Sequence, residues 1–106
     1  MEDSTFGGYL DIHHRPPAFE GSDGRMYSAE IYVDDQPCAD GTYGAAVLFV
    51  RWAPDGVSPD GHLETEYVVY GQTPHDARNA LRRLTLHQVK SKLDRIVEIK
   101  RELSSW

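Results

Sequence analysis

The chain has 106 residues, 40% of them hydrophobic and 26% charged, with a formal net charge of −6, proportions that suit one compact domain around one core. Its longest unbroken apolar run, Ala45 to Val50, falls far short of the roughly 20 residues of a membrane span. The opening Met1, Glu2, Asp3 has neither the basic nor the apolar region of a secretory signal, and the single cysteine, Cys38, excludes an internal disulfide or a four-cysteine zinc site; the expectation is a cytoplasmic protein with no membrane partner.

Residues 1–24 read as a loosely ordered N-terminal segment ahead of one α+β unit over 25–106. Gly7-Gly8, Pro16-Pro17 and Gly21-Ser22-Asp23-Gly24 interrupt any periodicity there, leaving a short strand through Tyr9 to His13. From Arg25 the pattern sharpens: Tyr27, Ala29, Ile31 and Val33 alternate with Ser28, Glu30, Tyr32 and Asp34, the period of a strand. A loop follows over Asp34 to Thr42, rich in Asp, Pro and Gly. Tyr43 to Trp52 is apolar at nearly every position, which places it at the centre of the sheet, covered on both faces. Pro54-Asp55-Gly56 and Pro59-Asp60-Gly61 read as turns, and His62 to Tyr70 as the third strand. The fold class is therefore α+β: a three- to four-stranded antiparallel meander followed by a long or broken C-terminal helix packed on one face.

The helix start is sharply marked, with Thr73 to cap, Pro74 at the first helical position and Asp76 in the first turn. Unbroken to Leu103, it would run about 45 Å at roughly 1.5 Å per residue, more than a ten-residue strand at about 3.3 Å per residue can cover. Its apolar stripe also shifts. Ala77, Ala80, Leu81 and Leu84 share one face, whereas Leu86, Val89, Leu93, Ile96 and Leu103 lie about 100° or more around the axis. Either the helix breaks near Thr85 and folds back onto its own domain, or these last five residues form a self-association seam. The sheet poses a matching question. One helix covers one face, and the other must be closed by Phe6, Tyr9, Leu10, Ile12 and Phe19 or by a second copy.

Charge is polarised along the chain: residues 1–73 carry 13 acidic and 3 basic side chains, a net of −10, and residues 74–106 carry 4 acidic and 8 basic, a net of +4. Either the halves attract each other, or Arg78, Arg82, Arg83, Lys90, Lys92 and Arg95 present a basic surface to nucleic acid or an acidic partner. The acidic body opposes polyanion binding, and nucleic acid is not the expected partner. The five histidines (His13, His14, His62, His75, His87) lack the i, i+4 spacing of helical zinc ligands, and Asp34, Asp35 and Asp40 lack the spacing of a calcium loop. No serine elbow, phosphate-cradling loop or dinucleotide fingerprint occurs, so no cofactor, metal or catalytic residue is expected. Glu64 and Glu66 are the one carboxylate pair with a shared direction. The aromatics Tyr27, Tyr32, Tyr43, Trp52, Tyr67 and Tyr70, interleaved with Glu30, Glu64 and Glu66, fit core and edge packing better than base stacking.

The segment Gly71-Gln72-Thr73-Pro74-His75-Asp76-Ala77 resembles the turn into the helix of HicB-like antitoxin domains, and the β-β-β-α order before it is similar over residues 26–84. The resemblance implies partner binding that neutralises a nuclease. The separate DNA-binding part that some such proteins carry has no counterpart in these residues. From the residues themselves the expected function is a non-enzymatic protein-interaction or self-association module, as a homodimer. A nucleic-acid binder and a small enzyme with a site shared between subunits are the alternatives.

Overall fold

The structure, a computed structural model, describes residues 4–104; the Met1-Glu2-Asp3 opening and the last two residues of the 25–106 unit lie outside the described residues. Helix α1 (Phe6–His13) precedes strands β1 (Ala18–Glu20), β2 (Met26–Val33), β3 (Tyr43–Trp52), β4 (Pro59–Glu64) and β5 (Val69–Gly71), and helices α2 (Pro74–Arg82) and α3 (Leu86–Ser104) close the chain. The α+β class with an antiparallel meander is as expected. The sheet runs β1-β2-β3-β4, and β5 pairs with β3 beside β4.

Strand β3 is central, pairing with β2 from Met26↔Trp52 to Val33↔Ala45 along one edge and with β4 and then β5 along the other. The third strand is interrupted. Between Leu48↔Glu64 and Ala45↔Val69 strand β3 advances three residues while its neighbour advances five, so residues 65–68 bulge outward. Pro54-Asp55-Gly56 does turn the chain, closed by Ala53 N–H to Ser58 O at 2.9 Å. Pro59-Asp60-Gly61 instead lies inside β4, because Asp60 is engaged as an acceptor by Arg25 and by Arg51 Nε at 2.8 Å.

The N-terminal segment departs from expectation. In place of a strand over Tyr9 to His13 there is α1, capped by Thr5, whose hydroxyl accepts from Gly8 N–H at 3.0 Å. Gly7-Gly8 discourages a helix by propensity, but here tertiary packing decides. A Cβ on Gly7 would stand 2.8 Å from Arg82 Cβ, so the glycine permits α1 to lie directly against α2. Phe6 is fully buried, its N–H donates to Leu84 O at 2.8 Å, and Arg82 reaches Asp11 at 2.7 Å.

The long C-terminal helix breaks at residues 83–85. Thr85 and Gln88 form a reciprocal cap there: Gln88 N–H donates to the Thr85 hydroxyl at 3.0 Å and Thr85 N–H to Gln88 Oε1 at 2.9 Å. This break reconciles the two apolar stripes. Ala77 and Leu81 of α2 and Val89, Leu93 and Val97 of α3 enter the same core as Phe6, Tyr27, Ala29, Ala45, Val47 and Phe49. Val89 and Leu93, two residues of the expected seam, thus hold α3 to its own sheet. Leu86 and Ile96 are half-buried and Leu103 is 65% exposed.

This packing makes Leu93→Ala destabilising by about 2–5 kcal/mol, the usual loss for a truncated buried leucine, whereas Leu103→Ala stays within about 0.5 kcal/mol. Urea unfolding followed by circular dichroism reads both. A Leu93 variant that loses mass in solution but no stability would place that side chain between subunits instead.

Candidate functional site

Side chains alternate along a strand, and the register sorts them into two faces. Toward the helices point Tyr27, Ala29, Ile31 and Val33 of β2, opposite Arg51, Phe49, Val47 and Ala45 of β3. The opposite face carries Met26, Ser28, Glu30 and Tyr32 beside Trp52, Val50, Leu48 and Ala46, extended by Glu20 of β1 and by His62, Glu64 and Tyr70. Residues 6–19 do not close this second face. Phe6, Leu10 and Phe19 pack into the helix-side core, and Ile12 is 51% exposed. An apolar column of Leu48, Val50 and Trp52, each half-buried, is left without a covering layer among the described residues, with Met26 45% and Tyr32 41% exposed beside it and Ala46 buried at its end.

Acidic groups border the column. Glu30, Leu48 and Glu64 stand in one row across three strands, and no lysine or arginine occupies a paired position on this face. Neither glutamate has an ion pair among the described residues. Trp52 is pinned at the other end, its indole N–H donating to the Ser28 hydroxyl at 3.0 Å.

The bulge ends the column in a hollow of about 520 Å³, lined by Tyr32, Ala46, Glu64, Glu66, Tyr67 and Tyr70 together with Thr65. Thr65 makes the bulge feasible, because its hydroxyl replaces a strand carbonyl and accepts from Val47 N–H at 3.0 Å. The two extra residues release Tyr67 to swing over β3, where a Cβ on Gly44 would fall 2.5 Å from its ring. Its hydroxyl donates to Asp34. That hydrogen bond, with smaller effects from burial and the Asp34 charge, pushes the Tyr67 phenol up to about 12 and holds the Asp34 carboxyl below its usual range. Tyr32 is raised too, first by the Asp34 charge and then by desolvation, Glu64 and Asp35: negative charge gathers around the hollow.

The expected basic surface is divided. Arg82 and Arg83 line a depression with Thr5, Gly7 and Gly8, Arg82 being tied to Asp11. Lys90 pairs with Asp94 at 2.6 Å, Lys92 and Arg95 border a groove with Glu64 and Glu66, and Arg78 is exposed. Glu64 ends β4 and Glu66 sits in the bulge, so the pair does not share a strand. His13 stacks on Tyr9, with centroids 4.2 Å apart, His75 meets Asn79 at 3.1 Å, and no group of three or more metal-ligating side chains forms among the described residues. By sequence alone Tyr32, Tyr67 and Tyr70 read as packing residues. The signal that bears on them is the two-faced apolar pattern of β3, which leaves one face in want of a layer.

Searches against family models, curated proteins and solved structures return no match to this chain.

In an alkaline titration followed by tyrosinate absorbance, Tyr67 and Tyr27, the latter also raised to about 12 chiefly by burial, will give a fraction that ionises well above the ordinary phenol value of about 10. A phenol raised above its unfolded value of about 10 stabilises the fold fully below that pH and loses the contribution as pH rises through about 12. Asp34→Asn returns Tyr67 toward 10 and leaves Tyr27 late. An unchanged late fraction in that variant would remove Asp34 as the cause.

Proposed function

We propose that this protein is a non-enzymatic interaction module whose docking surface is the uncovered sheet face, and that its partner is a basic, amphipathic polypeptide segment. The row Glu30, Leu48, Glu64 carries this reading: an apolar residue at the middle of the face is flanked by carboxylates that form no ion pair among the described residues. A partner that presents apolar groups to Leu48, Val50 and Trp52 and lysines or arginines to the glutamates satisfies both. A second copy across the same face would bring these carboxylates against their own mates, and burying unpaired charge is costly. The same acids repel a polyanion. Partner binding is also the class of role implied by the resemblance of residues 71–77 to HicB-like antitoxin domains.

A blocked peptide alternating leucine and lysine is a direct probe, compared with one alternating leucine and glutamate. The lysine peptide should bind at least about tenfold more tightly at low salt, with the difference shrinking as screening grows, and should shift the amide resonances of Leu48, Val50 and Trp52. Val50→Lys should abolish binding in a variant whose circular dichroism is unchanged. Equal affinity for the two peptides, or shifts confined to α3, would overturn the reading.

The protein alone should scatter light as one chain of 12.0 kDa. Glu30→Leu combined with Glu64→Leu, which makes the column continuous, should convert it to a dimer or larger species. A dimer already present in the parent protein would show that the glutamates do not keep copies apart.

A further inference from the structure

Resting on that docking reading, we infer that the tyrosine-lined hollow at the end of the column receives one lysine or arginine side chain of the partner, held by cation–π contact and by carboxylates. Tyr67 and Tyr70 stand edge to face, with interplanar angle 82° and centroids 5.8 Å apart, so ring surfaces approach at right angles. Tyr32 completes the aromatic lining and Ala46, 2% exposed, forms the floor. Aromatic ring faces are negative and attract a cation within about 6 Å of the centroid. Glu64 and Glu66 supply full charges at the rim.

Two features distinguish this arrangement from a chance grouping of exposed rings. Tyr67 is positioned in advance: its hydroxyl is fixed on Asp34 and its ring rests over Gly44, where no other residue leaves room. No lysine or arginine lines the hollow itself among the described residues; Lys92 and Arg95 line the adjoining groove that shares Glu64 and Glu66 but form no ion pair with either. A pre-formed aromatic and anionic cleft of about 520 Å³ is complementary to an alkylammonium or guanidinium group, and it opens at the end of the column along which an amphipathic segment would lie.

The experiment titrates n-butylammonium, neutral butan-1-ol and the leucine-lysine peptide into the whole protein while following tyrosine ring resonances. n-Butylammonium should shift Tyr32, Tyr67 and Tyr70 saturably and butan-1-ol should not. The peptide should bind more tightly than n-butylammonium and displace it. Tyr32→Leu and Tyr70→Leu should each weaken n-butylammonium binding by roughly two- to fivefold, in keeping with exposed cation–π pairs, whereas Tyr32→Phe and Tyr70→Phe, which keep the ring, should stay within about twofold of the parent. Both positions are exposed, so these variants fold. Glu64→Gln should weaken binding as well. A peptide that still shifts Leu48 and Val50 but binds the leucine variants as tightly as the parent leaves the docking face standing and overturns the hollow. No peptide binding at all overturns both. n-Butylammonium binding as tight as the peptide would assign the hollow to a small free amine and overturn the partner side chain.

Discussion

Strand β3 presents apolar side chains on both of its faces, and helices α1, α2 and α3 gather on one of them. That imbalance governs the rest of the molecule. On the helix side Ala45, Val47 and Phe49 are wholly buried, each large side chain worth roughly 1.5–3 kcal/mol in removal from water. Phe6, Leu81, Val89 and Leu93 converge on them from three different helices. On the other side Leu48, Val50 and Trp52 keep partial contact with water. A strand pattern that elsewhere implies two covering layers here has one, and the incomplete side is the surface on which a partner can gain most.

The interruption of the third strand converts that plain face into a shaped one. Two residues more than β3 requires are accommodated between β4 and β5, and the ladder is kept nearly intact by the Thr65 hydroxyl and by Val68 N–H donating to Ala45 O at 2.8 Å. The freed Tyr67 ring needs the missing side chain of Gly44 beneath it and the Asp34 carboxylate beyond it. Bulges also blunt exposed sheet edges against unwanted pairing. One local irregularity therefore protects the edge and builds the hollow.

Charge is distributed to the same end. Along the chain the acidic and basic halves look ready to neutralise one another, but in the fold the basic residues are dispersed. Arg82 ties α1 to α2 through Asp11, Lys90 pairs with Asp94 and Arg101 with Glu98 within α3, and Lys92 and Arg95 flank the groove beside the bulge. Glu30 and Glu64 on the open face are left without ion pairs among the described residues. At partly exposed sites each such pair adds little stability. The consequence is a local field, negative over the open face, that selects the sign of what approaches.

Local chemistry was enough to determine from sequence the central strand, the alternating strand before it and the capped start of α2, because the period of two and the Thr73-Pro74-Asp76 signature operate within a few residues. The break at Thr85 was half legible, in the rotation of the apolar stripe, and the Thr85-Gln88 cap supplies its mechanism. Helix α1 was not legible, since Gly7-Gly8 opposes a helix locally and only contact with Arg82 makes those glycines an advantage. The assignment of Val89 and Leu93 to the protomer's own core, and the meeting of Tyr32, Tyr67 and Tyr70, depend on residues brought together from distant positions. Periodicity states which side chains share a face; which faces are covered is settled only when the helices take their places, because burial is a property of the whole packed chain.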